Sequence, residues 1–398
     1  MKLNKFHDSE LEITKSHYDY IIIGAGAAGL MLADAMGTDG FFKNKSILLL
    51  DKDAKSTNDR TWCYWEKGEG EFDAIVFKTW KYIYFGGQKF SSRFNILPYQ
   101  YKLIRGIDFY ETYLNRINSH PNINFLQEEV HEIEDSEENT KVITKENVFS
   151  ANQVFNSIFD YKEIIRQKKY PVLQQHFIGW FVKTKKPVFI QDQATFMDFS
   201  VPQKGNTRFM YVLPFSDNEA LVEYTLFSET PLSSEEYEIA IKQYLNENLN
   251  CTDFQILEKE KGNIPMTCYD FLQHNTNNVV RIGTAGGWAK ASTGYTFYNT
   301  GKKTKSLIKH LKEGRTLKSF GKKRKFWYYD LLLLDILFKK NSSGQYIFET
   351  LFKNRPPQLI FKFLDEETSF LEDLRIISGC PKKEFLRAFI ERILQRFH

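Results

Sequence analysis

Cysteine is scarce in this chain: four residues in 398, Cys63, Cys251, Cys268 and Cys380, with no CxxC and no ligand-like spacing. That excludes a disulfide framework and a thiolate metal site, and reads as reduced thiols in a cytosolic compartment. The eight histidines are scattered, with no HExxH or similar helical pair, so no metal site is expected. Net charge is small as well, +4 from 54 basic and 50 acidic residues. This argues against the concentrated basic face that nucleic acid requires. Long apolar runs are missing too. The longest, Leu331 to Phe338, is broken by Asp335 and is too short to span a bilayer. Residues 1–17 are polar and charged, with no signal-peptide pattern. These absences point to a cytoplasmic protein that is soluble or lies on a membrane surface.

Aromatic residues, by contrast, reach 16%, with 35 Phe and 21 Tyr. A codon bias from an AT-rich genome and a large apolar ligand both account for that number. The length fits two intertwined domains.

The segment YDYIIIGAGAAGLMLADAM (18–36) reads as strand, tight turn and helix, with Gly24, Gly26 and Gly29 forming GxGxxG. A second apolar strand, SILLLDKD (46–53), carries Asp51 about 20 residues further on, which completes a dinucleotide fingerprint. Gly24 permits the turn, Gly26 lets a pyrophosphate approach the backbone, and Gly29 lets the helix pack closely. The helix N-terminus then faces the negative charge, and Asp51 is placed to accept from a ribose hydroxyl. Next, NDRTWCYWE (58–66) reads as a loop that mixes Asp59, Arg60 and Glu66 with Trp62, Tyr64 and Trp65, the composition of an apolar site holding a few polar groups. Its other reading is a structural loop whose tryptophans plug a domain interface.

TWKYIYFGG (79–87) alternates as one strand, with Trp80, Tyr82 and Tyr84 on one face, and LIRGIDFYETYLNRI (103–117) predicts an amphipathic helix. Residues 123–158 read as several short strands with a polar turn near Asp135 to Thr140. From 176 to 270 the pattern is mostly β, with a helix around Glu235 to Asn246. Within it, Arg208–Pro214 and Glu219–Phe227 predict a hairpin. Leu221, Glu223, Thr225 and Phe227 share one face of its second strand, and Val222, Tyr224 and Leu226 the other. A carboxyl on the first of these faces is desolvated and becomes a usable general acid. The alternative is an edge-strand Glu pointing to solvent. VVRIGTAGG (279–287) returns to a buried strand followed by glycines, a second place for backbone amides to meet phosphate or flavin. Many FAD enzymes carry Gly-Asp here; this chain has Gly283-Thr284-Ala285, which departs from a generic flavin hydroxylase. After Thr296 the pattern is helical.

The pattern predicts an α/β protein, a Rossmann-like FAD domain with an inserted antiparallel β substrate domain and a C-terminal helical region, and the resemblance of these stretches to a known flavoprotein family implies the glutathione-reductase/hydroxylase type. The FAD domain is expected to be discontinuous over 18–75, 100–175 and 276–310, the β-rich domain to cover 76–99 and 176–275, and the helical region 311–398.

Together these stretches resemble the lycopene β-cyclase family in its bacterial flavoprotein form, over residues 18–390. The match is carried by Gly24, Gly26 and Gly29, Asn58 to Glu66, Met197-Asp198, Leu221 to Thr225, Gly283 to Phe297, and FLDEETSFLEDL (363–374). The resemblance implies redox-neutral closure of β-rings on lycopene, by way of γ-carotene to β-carotene. It also implies reduced FAD, with NAD(P)H as electron source, and a membrane surface as the place where the substrate resides, on the cytoplasmic face of an inner membrane. The alternatives are a hydroxylase or prenyl-chain reductase on the same fold, and a carotenoid carrier without catalysis.

Plant members of the family carry their catalytic acid in an FLEET string. FLDEET (363–368) is the closer string here, but LVEYT (221–225) has the strand context, so Glu223 is taken as the acid. Tyr224 then stands where an acidic residue is usual, and Glu366 and Glu367 are read as solvated charges at a helix start. The candidate cofactor residues are Gly24, Gly26, Ala27, Ala28, Gly29, Asp51, Arg60, Arg105, Gly283, Gly286, Gly287, Thr293 and Gly294. The candidate substrate residues are Trp62, Trp65, Trp80, Asp198, Tyr224, Trp288 and Tyr295. Finally, FGKKRKFWYYDLLLLDILFKK (320–340) reads either as a core helix with a polar face or as an interfacial helix docking on a membrane.

Overall fold

The computed structural model describes residues 16–136 and 139–394. The polar stretch 1–17 up to residue 15, and part of the turn expected at Asp135 to Thr140, lie outside the described residues. Near-continuous apolar runs build the parallel part of the first sheet, as expected of strands covered on both faces, while Val130–Asp135 and Thr140–Thr144 add an antiparallel edge. Its strands are β1 (His17–Ile23), β2 (Ile47–Asp51), β8 (Ile123–Gln127), β9 (Val130–Asp135), β10 (Thr140–Thr144), β11 (Val148–Asn156) and β17 (Val279–Arg281). The order is β8-β2-β1-β11-β10-β9, with β17 also paired to β11. The pairs β1–β2, β2–β8, β1–β11 and β11–β17 are parallel, so the chain rejoins its first sheet at 279 after a long excursion. Helices α1 (Ala27–Thr38), α2 (Gly106–Asn118) and α5 (Phe297–Lys312) share one apolar core with this sheet.

That excursion, with a shorter one between β2 and β8, forms a second sheet, β16-β12-β15-β14-β13-β5-β6. It uses β5 (Tyr82–Gly86), β6 (Ser92–Asn95), β12 (Val172–Thr184), β13 (Gln193–Asp198), β14 (Thr207–Pro214), β15 (Glu219–Ser228) and β16 (Phe254–Thr267). All its pairings are antiparallel except β13–β5. The period of two splits its faces. One face packs on α4 (Ser234–Glu247), which a Ser233–Glu236 capping box starts. The other faces the C-terminal helices: α6 (Lys325–Lys339), α7 (Gly344–Asn354), α8 (Pro357–Leu364), α9 (Phe370–Gly379) and α10 (Lys382–Leu394). A short α3 (Tyr161–Ile165) precedes β12.

A third sheet, β3-β7-β4, lies at the junction. It differs from the sequence reading in three ways. NDRTWCYWE is not a loop: Thr61–Lys67 is strand β3, paired antiparallel along Tyr99–Arg105, strand β7. The helix expected from 103 begins only at Gly106, because Leu103 to Arg105 are held in that ladder. The alternating run 79–87 is two strands. Lys78–Trp80 (β4) joins β7, while Tyr82–Gly86 (β5) joins the second sheet. The Trp80 indole fills the seam between them, its Nε1–H donating to the Pro214 carbonyl at 3.1 Å.

The basic-aromatic stretch 320–340 is the packed alternative. Phe326, Leu331, Leu334 and Leu337 of α6 are buried, Asp330 pairs with buried Lys290 at 2.9 Å, and Asp335 pairs with Arg392. Lys323 and Lys325 are taken up by Asp270 and Asp373. An interfacial helix would leave its apolar face open, and this one covers it. FLDEET is also not a helix start. It closes α8 and turns into α9, with the Asp365 carboxylate accepting from Trp65 Nε1–H at 2.7 Å and Glu366 pairing with Lys290 at 3.2 Å. Glu367 alone keeps a substantially exposed carboxylate, near Lys302.

Candidate active site

At the first βα turn the fingerprint glycines divide their work by space. Gly24 sits at φ +95°, its N–H donating to Leu50 O at 2.7 Å. A Cβ on Gly29 would lie 1.8 Å from the Gly24 carbonyl, so α1 crosses β1 with no room for a side chain. A Cβ on Gly26 would meet nothing within 4 Å. Gly26 is the N-cap of α1 and offers no side-chain acceptor to the first amides of the helix. Ala27 and Ala28 open the helix behind it. Asp51 is at the end of β2, accepting from Ala25 N–H at 2.5 Å and Asp53 N–H at 2.8 Å and pairing with Lys55 at 3.2 Å. The second glycine segment meets the first: a Cβ on Gly283 (φ +59°) would stand 3.1 Å from Ala28 Cβ. Gly286 and Gly287 are packed rather than open, against the Arg281 carbonyl and the Phe271 ring.

Arg60 and Arg105 flank the entry to α2, where Gly106 N–H donates to Arg60 O. Arg60 chelates Asp59, which also accepts from Tyr110 Oη–H at 2.8 Å, and lies over the Trp62 ring. Arg105 stacks on Phe77.

Between the second sheet, β3, the 292–297 loop and the C-terminal helices lies a cavity of about 540 Å³. Its wall is mainly aliphatic and phenyl: Phe177, Phe196, Phe209 and Phe227 from the sheet, Phe348, Phe352 and Leu351 from α7, and Leu332 and Leu333 from α6. Three buried carboxyls line it: Asp330, which is paired with Lys290, and Glu223 and Glu260, which have no cationic partner among the described residues. Glu223 lies on β15, a central strand hydrogen-bonded on both sides, so the edge-strand alternative does not apply. Burial pushes its carboxyl up to about 8, with the charge of Glu260 adding to the effect. Burial likewise lifts Glu260, to about 7, against the hydrogen bond from Thr61 Oγ1 at 2.7 Å. Thr225 Oγ1 donates to Glu223 at 2.5 Å. Around them, Tyr101 Oη bonds Tyr211 and, at 3.1 Å, Tyr295.

Of the sequence candidates, the structure brings Glu223, Trp62, Thr293, Gly294 and Tyr295 to this cavity. Trp62 also packs edge-on against Phe109 and Tyr110 in the first core. Trp65 does not join it. Three residues along a strand is an odd step, so Trp65 faces away from Trp62 and stacks on Phe361 at 4.6 Å. Trp80 is sealed in the seam, and Trp288 packs on Phe320. Asp198 accepts from Tyr244 Oη–H at 2.7 Å behind the second sheet. Tyr224 is one residue from Glu223 and therefore on the α4 side, edge-on to Tyr237. Glu66 is committed to buried Lys102 at 2.8 Å.

Sequence reasoning missed Glu260, Thr61, Cys63, Gln175 and Tyr211. Glu260 sits in the charged run LEKEKGN, which reads as solvated. The available signal was its period-two relation to Ile264, whereas a bulge between Glu258 and Ile256 turns Ile256 to the α4 side. Gln175 Oε1 and Thr293 Oγ1 are buried at the cavity without a hydrogen-bond partner among the described residues. A Cβ on Gly294 (φ +72°) would come within 2.8 Å of that Gln175 oxygen.

The cavity reaches the surface at α9 and α10, whose Ile377, Leu386 and Phe389 both line it and are exposed. Phe370, Leu371 and Leu374 on α9, and Ile390, Ile393 and Leu394 on α10, are exposed beside them. No described helix is long and apolar enough to cross a membrane, and no described cluster of His, Cys, Asp and Glu could hold a metal ion.

The fold is that of the flavin-dependent reductases, monooxygenases and halogenases. A geranylgeranyl bacteriochlorophyll reductase-like protein from Thermoplasma acidophilum superposes with a TM-score of 0.57 at 11% identity, covering 95% of this chain and 97% of that one. The p-nitrophenol 4-monooxygenase of Pseudomonas putida gives 0.60 at 12% identity, covering 93% and 98%. A flavin-dependent brominase gives 0.55 at 14% identity, covering 96% and 100%. No curated protein sequence matches the chain. Residues 19–389 match the family described as lycopene cyclase protein, nearly the whole length, and the chain belongs to that family.

Proposed function

We propose that this protein closes β-rings on the ψ ends of lycopene, giving γ-carotene and then β-carotene, in an acid-catalysed and redox-neutral isomerisation that requires reduced FAD. The observation that carries the reading is a protonatable carboxyl buried in a largely apolar cavity that opens onto an apolar surface. Glu223 gives its proton to C2 of the substrate, leaving the cation at C1. The C5=C6 double bond attacks C1, and loss of the C6 proton leaves the β-ring. One proton enters and one leaves, so no electron is consumed. The rings of Trp62, Tyr211 and Tyr295 offer faces and edges around a cation, and the apolar wall keeps water from capturing it.

The residues fit FAD. What supports this is that Gly26 gives the N-terminus of α1 no side-chain cap, which suits a pyrophosphate, that Asp51 ends β2 as the acid of a dinucleotide fingerprint does, and that Gln175 Oε1 and Thr293 Oγ1 are buried without a partner among the described residues. When bound, reduced FAD would supply an electron-rich ring, with NAD(P)H as the source of its electrons. Gly26→Ala is expected to leave the melting temperature of the flavin-free protein unchanged and to lower bound flavin per chain. Gly29→Ala forces α1 off β1 and is expected to lower both. Flavin absorbance per protein and thermal melts check this, and full flavin retention by Gly26→Ala would remove the pyrophosphate site.

In this reading the substrate arrives from a bilayer, at the α9–α10 face. Lys382, Lys383 and Arg375 lie among its exposed apolar side chains and suit anionic headgroups. Leu386→Asp with Phe389→Asp is expected to weaken binding to vesicles containing phosphatidylglycerol by at least about tenfold. Thermal stability should hold, because both side chains are already exposed. Unchanged vesicle binding in a flotation assay would rule this face out.

Turnover with pre-reduced flavin under anaerobic conditions tests the function itself. The expected result is β-carotene with no net NAD(P)H oxidation. Stoichiometric oxidation per product would point to the reductase or hydroxylase reading.

A further inference from the structure

Glu223 on β15 and Glu260 on β16 lie on either side of β12, and both register with the same residue, Gly179. Side chains at matched positions of neighbouring strands project to the same face, and here that face is the cavity. Gly179 removes the side chain that would separate them: a Cβ there would stand 3.3 Å from Glu260 Cγ and 3.5 Å from Glu223 Cβ. The two residues are only 7% and 8% exposed. Among the described residues neither has a cationic partner, and each accepts a single hydroxyl hydrogen bond, from Thr225 and Thr61 respectively. The groups that face them are neutral or acidic: Cys63 on β3, Tyr211 on β14, and Tyr295 in the 292–297 loop. Glu258 and Asp59 add negative charge on the Glu260 side. Two ionised carboxylates sharing a desolvated site without a cation repel strongly, so one proton is retained between them.

We propose that Glu260 is a positioning residue for the acid: its carboxylate holds the single proton of the pair on Glu223, so that Glu223 is loaded at neutral pH when substrate enters. After each cycle the proton released from C6 returns to the Glu223 carboxylate, because the negative charge of Glu260 keeps that site the stronger base. The Glu223 O–H bond breaks as the C2–H bond forms, and the C6–H bond breaks as Glu223 O–H is restored. Glu260 itself exchanges nothing. This assignment rests on the reading of Glu223 as the acid.

Infrared titration of the purified full chain without substrate, following the carbonyl stretch of protonated carboxyls, tests the pair apart from activity. Beside the Asp365 carboxyl, which burial also lifts to about 7, wild type is expected to keep one protonated carboxyl of the pair at pH 7 that is lost near pH 8. Glu223→Gln should remove that signal, and Glu260→Gln should lower its midpoint by about one pH unit. The sign follows from charge: without the Glu260 carboxylate nothing opposes ionisation of Glu223 except burial, so its proton leaves at lower pH. The alkaline limb of kcat should move the same way. A wild type with no protonated carboxyl of the pair at pH 7 overturns the proposal. So does an unmoved midpoint, or a uniform loss of activity with an unmoved limb. Conversion by Glu223→Gln would instead sink the reading of function, which the infrared midpoint does not depend on.

Discussion

Glu223→Gln is expected to convert lycopene roughly 10²- to 10⁴-fold more slowly than wild type, the range a positioned general acid contributes. The amide is nearly isosteric and can still accept from Thr225 Oγ1, so the cavity keeps its shape. What it cannot do is deliver a proton to carbon. Its burial is, if anything, easier than that of the acid, because a neutral amide has no charged form to desolvate. Flavin content and melting temperature are therefore expected to stay close to wild type, which separates lost chemistry from lost structure. Pigment analysis in a lycopene-accumulating bacterium reads the outcome directly. Near-normal β-carotene would show that the proton comes from elsewhere.

The second large effect concerns stability. Lys102 is 1% exposed, and its three ammonium protons go to Glu66 Oε1 at 2.8 Å, Gly68 O at 2.9 Å and Asp73 Oδ1 at 2.5 Å. Lys102→Met has a similar stem but leaves the Glu66 carboxylate buried without its cation. Breaking such a pair from one side costs about 3–5 kcal/mol, chiefly from the uncompensated charge. Adding Glu66→Gln to the same chain removes that charge, so the double variant is expected to regain part of the loss. Denaturant unfolding of the two single variants and the double variant measures the coupling. A Lys102→Met chain within about 0.5 kcal/mol of wild type would mean that Glu66 is solvated or protonated in the folded state.

This pair also explains the acid that ends NDRTWCYWE. The run carries charge because one strand serves three surroundings at once. Asp59 and Arg60 hold the strand at Tyr110, Glu66 closes on Lys102, and the aromatic rings fill the apolar layers between. Trp62 and Tyr64 point into the first core, whereas Cys63 and Trp65 point toward the second.

Local interactions were legible where they decide structure unaided. The β1–α1 turn, Asp51 at the end of β2, the β14–β15 hairpin and helix α4 each depend on neighbours within a short stretch of chain, through glycine sterics, strand alternation and a capping box. The desolvation of Glu223 was legible for the same reason: period two places it with Leu221, Thr225 and Phe227. Period two, however, reports only that residues share a face, not what covers that face. Nothing local says that β15 is a central strand, that a glycine on β12 brings Glu260 beside Glu223, or that Trp65 is held by Asp365 from 300 residues away. The same limit applies to the C-terminal helices. Their apolar residues were visible, but packing onto the second sheet decided that α6 is buried while α9 and α10 keep apolar side chains in the open. By itself the sequence determined the nucleotide fold and the strand that carries Glu223. Only the tertiary structure decided which carboxyl stands beside Glu223 and where the cavity meets the surface, because both depend on contacts between segments far apart in the chain.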